Sequence, residues 1–379
     1  MGPIEPSPSG RLIRSVPQPT SETQQLRSQS DVPVDEVVER EGVARAIGIK
    51  HVASLLYTYR CTIACRHCLF SCSPAQPPLH ASLEDGLEFL EQLHATDRVV
   101  HVAGGEAMIF YDELIELWRR ADARGIAPHF LETNASWCTS DGLAIERFGE
   151  LRDAGAGGVL ISCDPYHLAQ VDARAYLRAR KHAIDAFGPE NVITSTATPA
   201  EIERIAAIGQ SEVLLREYVR EHPPRLVGRA GEKLAGLLPG RPVRELAFDE
   251  LWHPVARRDG TCISEFDPGE MWEIHIDPYG NVQTCCGIIL GNAREEPLPA
   301  IMKDGFNSNE VVSMVREKGP FGLLDMAIDL GYQARDGYPQ KCNLCWEVRK
   351  FLRPRFPEAL GPDEVYGPID PAGGKRHER

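Results

Sequence analysis

Between residues 50 and 230 the apolar positions switch repeatedly between two periods. The runs Leu55-Leu-Tyr-Thr-Tyr59 and Val99-Val-His-Val-Ala103 are short and nearly continuous, as expected of strands covered on both faces. Between them Leu83, Leu87, Leu90 and Leu93 recur at helical spacing, behind Ser82 and Asp85 in the positions of a capping box. The alternation continues with a helix carrying Leu114, Leu117 and Trp118, a strand over 128–132, a helix over 143–151 and a strand over 159–162. A helix over 168–186 and a strand over 192–196 complete it. Repeated βα units predict an α/β fold with a parallel sheet, either an open wound sheet or a full or partial barrel.

In either architecture ligands sit at the carboxyl ends of the strands. Those ends are chemically unusual here: Cys61 follows the first, Gly104-Gly105-Glu106 the second, Glu132-Thr133-Asn134 the third and Ser162-Cys163-Asp164 the fourth. Outside this region the pattern fades. Residues 1–42 are rich in Pro, Ser, Gln and charge and read as a disordered tail. Residues 357–379 read as a second tail, unless Val365 and Tyr366 dock it.

Composition narrows the possibilities. The chain has 379 residues, of which 42% are hydrophobic, enough for a barrel-sized domain of about 43–240 and a smaller one of about 241–356. A formal charge of −14 argues against a nucleic-acid or anionic-membrane surface. With neither a spanning apolar run nor a secretory signal, the expected location is the cytoplasm. Eleven cysteines in such a chain point to metal ligands or redox groups rather than disulfides.

Three of those cysteines share one loop, Cys61-Thr-Ile-Ala-Cys65-Arg-His-Cys68, spaced C-x3-C-x2-C directly after the first strand. Three thiolates hold three corners of a [4Fe–4S] cluster and leave the fourth iron open to an outside ligand. The alternatives are half a zinc site or three buried thiols. With Gly104-Gly105-Glu106 one βα unit later, this stretch resembles the radical S-adenosylmethionine (radical SAM) superfamily. His67 stands where that family usually carries an aromatic residue, and Ala107 where its G-G-E-P element carries proline.

The resemblance implies a partial (β/α)6 barrel over roughly 50–230. In such enzymes the methionyl amine and carboxylate of SAM chelate the open iron, and an external donor such as flavodoxin or ferredoxin reduces the cluster. SAM is then cleaved to a 5′-deoxyadenosyl radical that removes a hydrogen atom from substrate. Gly104, Gly105 and Glu106 are implied in binding the methionyl end, Ser162, Asp164 and Asn134 in lining the same pocket. Pro224-Arg-Leu-Val-Gly-Arg-Ala230 is similar to a segment near the last barrel strand, which implies that Arg229 faces cofactor or substrate. For Asn134, Ser162 and Asp164 ordinary turn and cap roles compete, and for Glu106 a helix-cap role. For Arg229 the competitor is a surface ion pair.

Beyond residue 250 the alternating run Trp272-Glu-Ile-His-Ile276, the turn Asp277-Pro-Tyr-Gly280 and Val282 predict a β-hairpin leading into Cys285 and Cys286. Together with Cys262 and the pair Cys342-x2-Cys345, this region resembles the SPASM or shorter Twitch extension. The resemblance implies Cys262, Cys285, Cys342 and Cys345 as ligands of a second [4Fe–4S] cluster. A four-cysteine zinc site fits the same spacing, and Cys286 is an alternative to Cys285.

Three functions follow from these expectations. The first is a dehydrogenation or bond formation in a small metabolite or a peptide, with the second cluster accepting an electron. The second is a redox-neutral epimerisation, in which Cys163, Cys72 or Cys286 returns a hydrogen atom and His167 acts as a base. The third is a non-enzymatic iron–sulfur or zinc protein. The polar tail over 1–42 is too short for a leader-binding domain, which favours a small molecule over a peptide.

Overall fold

In the computed structural model, which describes residues 32–246, 263–267, 271–307 and 309–369, the centre of the fold is β1 (Val52–Thr58). All seven of its residues are buried. It pairs in parallel with β2 (Val99–Gly104) on one side, Leu55 opposite Val102. Beyond β2 lie β3 (Phe130–Thr133), β4 (Gly158–Ile161) and β5 (Val192–Ile193), each parallel to its neighbour. Helices Leu83–His94, Tyr111–Asp122, Asp141–Asp153 and Ala173–Phe187 connect these strands. The expected βα alternation is therefore present, as an α/β fold with an open, partial barrel. Ser82 caps the first of these helices, its side chain accepting from the N–H of Asp85.

Three boundaries differ from expectation. The helix expected over 168–186 is two helices, Pro165–Leu168 and Ala173–Phe187, because Asp164 and Asp172 each cap a new start. The strand expected over 192–196 keeps two residues. The stretch read as a tail over 1–42 contains the helix Val34–Glu41. Its buried Val34 and Val37 join Val43, Ala46 and Ile47 of the next helix against Val99, Phe130 and Ile193. Residues 1–31 lie outside the described residues.

The second region is not a separate sheet. β6 (Glu273–Ile276), the expected hairpin arm, pairs antiparallel with β7 (Asn281–Gln283), and β7 with β8 (Ile289–Asn292). Its other edge pairs in parallel with β1, Val52 opposite Glu273 and Leu55 opposite Ile276. The order is β5-β4-β3-β2-β1-β6-β7-β8, so β6 is the sixth parallel strand of the barrel. A period of two marks a strand but not its neighbours.

The C-terminal stretch docks through the two residues singled out for it. Val365 is buried, and Tyr366 stacks on Trp346 at 4.7 Å and donates to the carbonyl of Gly287 at 2.7 Å. Among the described residues no helix is long and apolar enough to cross a membrane.

Candidate functional site

The chain leaves β1 at Thr58 and turns through the three-cysteine loop, where Cys61 and Cys65 are buried and Cys68 is half-buried. Glycines at the end of β2 hold the loop's first residues. The N–H of Gly105 donates to the carbonyl of Thr58 at 2.7 Å and that of Glu106 to Arg60 at 2.9 Å. A Cβ at position 105 would stand 1.9 Å from the Arg60 carbonyl oxygen. These glycines thus permit backbone-to-backbone contact with the cysteine loop itself, a reason independent of any cofactor.

Glu106 is fully buried, and its carboxylate is taken up by the protein. Thr133 Oγ1 donates to both oxygens at 3.0 and 3.1 Å, and the N–H groups of Asn134 and Met108 donate at 2.8 and 3.3 Å. Burial pushes its pKa up to about 7 against these donors. The carboxylate that the resemblance assigns to the SAM ammonium also holds the end of β3. Asn134, fixed in this way, donates through Nδ2 to Cys61 Sγ at 3.4 Å and to Thr62 Oγ1 at 3.1 Å.

Asp164 does not face a ribose pocket freely. One oxygen accepts the N–H groups of Tyr166 and His167 as a helix cap. The other lies 2.8 Å from His167 Nδ1 and 3.2 Å from His67 Nε2. His67 stacks on Tyr166 at 4.5 Å. Burial disfavours a charge on His167, but Asp164 outweighs it and raises its pKa well above the usual histidine range. Cys65, His67 and His167 place one ligand-type atom each within 4.8 Å of one another.

Arg229 is engaged by the cysteine loop. Its guanidinium donates to the carbonyls of Cys65, Ser71 and Cys72 at 3.0, 2.6 and 2.8 Å, and its N–H donates to Cys68 at 3.0 Å. It clamps the cysteine loop from behind. Gly228 allows that approach: its φ is +56°, and a Cβ there would stand 2.0 Å from the Leu69 carbonyl oxygen.

At the strand ends these elements enclose a cavity of about 310 Å³. Cys61, Cys65 and Cys68 form one wall, Gly104, Gly105, Asn134 and Ser162 another, and His167 and Arg225 reach it from later elements. Residues 55–194 match the family model described as the radical SAM superfamily. That stretch of the chain is therefore similar to the radical SAM superfamily. Among solved structures it is similar to BtrN in complex with AdoMet and 2-DOIA at 14% identity, covering 71% of this chain and 88% of that one, with a TM-score of 0.42. It is also similar to native anSMEcpe with bound AdoMet, at 12% identity over 81% and 97% of the two chains and a TM-score of 0.37. A third likeness is to HydG, a maturase of the [FeFe]-hydrogenase, at 19% identity over 54% of this chain and 49% of that one, with a TM-score of 0.31. No curated protein matches.

The donor set of this cavity suits a [4Fe–4S] cluster. Three sulfurs share a cavity wall, and the Asn134 amide already donates to one of them. The neighbouring Cys72 thiol holds the Cys68 thiol below its usual pKa, whereas burial pushes the Cys61 thiol up to about 12, a cost that metal coordination removes. Cys72 lines this cavity. Cys163 is half-buried, packs against the core beside the cavity, and has its pKa pushed up to about 11 by burial.

The later cysteines assemble as well. Cys285, Cys342 and Cys345 line a cavity of about 20 Å³ together with Arg225, Glu265, Lys341 and Arg349. Arg225 Nη2 donates to Cys285 Sγ at 3.1 Å. Cys286 packs elsewhere, in the cluster with Trp346 and Val365. Cys262 lies outside the described residues. Thiols surrounded by buried cations suit a group that needs thiolates, either an iron–sulfur cluster or zinc.

Sequence reasoning overlooked two features. Arg225 belongs to the segment that drew attention to Arg229, but Arg225 is the arginine that reaches the cavity. Inside the barrel, His101 lies 2.9 Å from Glu273 and 3.4 Å from Glu132. The signal was a histidine within the apolar run of β2.

Proposed function

We propose that the chain is an enzyme that binds a [4Fe–4S] cluster at Cys61, Cys65 and Cys68, cleaves SAM reductively and removes a hydrogen atom from a small molecule or a peptide. A second cluster at Cys285, Cys342 and Cys345, with Cys262, accepts an electron, so the net reaction is a dehydrogenation or the formation of a bond. The observation that carries this reading is the shared cavity: three cysteine sulfurs face the glycine-rich and polar ends of β2, β3 and β4. When bound, the cluster and SAM supply the one-electron chemistry. The chain's own residues hold and shield it. Arg229 fixes the cysteine loop, Glu106 fixes Asn134, and Asn134 donates to Cys61. Gly104, Gly105, Asn134 and Ser162 offer the wall for SAM, while Ile63, Leu69 and Phe70 limit the access of water. An external reductant such as flavodoxin or ferredoxin, in the cytoplasm, completes the proposal.

A redox-neutral epimerisation is the second reading, and one observation favours it: Cys72 presents a thiol on the cavity wall. Cys72, rather than Cys163, is the hydrogen donor in that case.

Anaerobic reconstitution followed by SAM and dithionite tests the proposal. About eight irons per chain and release of 5′-deoxyadenosine are expected. About four irons with SAM cleavage would remove the second cluster, and zinc uptake without cleavage would overturn the reading. Solvent deuterium in the product would favour epimerisation.

A further inference from the structure

We infer that Arg225 and Arg349 form a cationic wall that raises the reduction potential of the second cysteine site, with Arg225 linking that site to the main cavity. The inference rests on the reading of this site as an iron–sulfur centre. Among the described residues Arg225 alone lines both cavities. Its side chain is 15% exposed, and it divides its guanidinium between Cys285 Sγ at 3.1 Å and Glu265 Oε1 at 3.4 Å.

Arg349 is fully buried on the wall of the smaller cavity. Its Nη1 donates to the Cys286 carbonyl at 2.7 Å, but Nε and Nη2 have no hydrogen-bond partner among the described residues. A buried guanidinium with unused donors is costly unless negative charge stands nearby. Lys341 is a further buried cation on this wall, and Glu265 is the carboxylate that lines it among the described residues. Arg225 and Arg349 on one wall therefore favour an anionic occupant.

Adding an electron makes a cysteine-ligated cluster more negative. Cations held in a low-dielectric wall, one of them donating to a ligand sulfur, stabilise the reduced form more than the oxidised one. A raised potential suits a site that receives electrons from the main cavity rather than supplying them. Zinc would satisfy the same charges but has no such potential.

The test is a potentiometric titration, read by electron paramagnetic resonance, of anaerobically reconstituted wild-type protein and of Arg225→Gln, Arg225→Lys and Glu265→Gln. Arg225→Gln is expected to shift the midpoint of the second centre to more negative potential, by more than it moves the first. Arg225→Lys should restore most of the shift. Glu265→Gln removes the carboxylate facing Arg225 and should shift the midpoint the opposite way, which decides the matter if Arg225→Gln loses its second cluster. Unchanged midpoints in every variant with full iron content would overturn the charge role and leave the proposed function standing. Wild-type protein with about four irons, or with zinc at the second site, would overturn this inference together with the second cluster, and would leave the proposed SAM-cleaving site standing.

Discussion

The side-chain amide of Asn134 donates to the sulfur of Cys61 across 3.4 Å, while the backbone N–H of Asn134 donates to the buried carboxylate of Glu106. One residue thus ties the end of β3 to the cysteine loop. Asn134→Ala removes the donors to Cys61 and Thr62 and should cost about 1–2 kcal/mol in urea unfolding of the apoprotein. Asn134→Asp is expected to be worse for the cluster than for the fold. It sets a carboxylate beside a thiolate, and iron content after reconstitution should fall below that of the alanine variant.

Arg229 holds three carbonyls of the same loop, those of Cys65, Ser71 and Cys72. Arg229→Ala strands these acceptors behind the loop, and hydrogen bonds from a charged donor contribute about 1.5–3 kcal/mol each. Because neighbouring bonds do not add, a loss of about 3 kcal/mol or more is expected by urea unfolding. Arg229→Lys should recover less than half of it, since one ammonium cannot span three acceptors fixed by a planar fork. A surface role would leave both variants within about 0.5 kcal/mol of wild type.

Strand and helix alternation up to β4 was legible because strands covered on both faces read as unbroken apolar runs, and helices as three- and four-residue spacings. The place of Glu273–Ile276 beside β1 was not, since alternation is the same whichever strand lies alongside. The site divides in the same way. Cysteine spacing is local, so Cys61, Cys65 and Cys68 announced themselves. Arg225 and Arg229 stand four residues apart in one segment, and only the packing of Gly228 onto the Leu69 carbonyl decides which clamps the loop and which reaches the cavity. Glu106 poses the same difficulty, because its inward orientation depends on Thr133 and Asn134, donors from another strand end.

Burial raises the Glu106 carboxyl from 4.5 to about 7 in the folded protein. A folded-state pKa above the unfolded one means that the native state holds its proton more tightly, so this carboxyl's contribution to stability is fully present below about pH 4.5 and is lost as pH rises through about 7. Glu106→Gln keeps the shape and removes the titration. The difference in unfolding free energy between wild type and Glu106→Gln should therefore move against wild type over that window, by at most about 3 kcal/mol. A difference that stays flat from pH 4.5 to 7.5 would show that the carboxyl titrates normally.

Two glycine substitutions with the same chemistry should have opposite signs. Gly149 lies inside the helix Asp141–Asp153, and a Cβ there meets nothing within 4 Å. Gly149→Ala should therefore stabilise by about 0.5–1 kcal/mol, through the lower backbone entropy of the unfolded chain. At Gly105 the added Cβ would stand 1.9 Å from the Arg60 carbonyl oxygen and 3.0 Å from the Cys61 nitrogen. Both neighbours are backbone, so relief requires that the end of β2 and the cysteine loop move apart. That movement breaks the bonds from Gly105 to Thr58 and from Glu106 to Arg60. Gly105→Ala is expected to destabilise the apoprotein by about 2–4 kcal/mol in urea unfolding and to lower iron uptake at Cys61, Cys65 and Cys68. If the glycine served SAM alone, the apoprotein would keep its stability and only SAM binding would weaken.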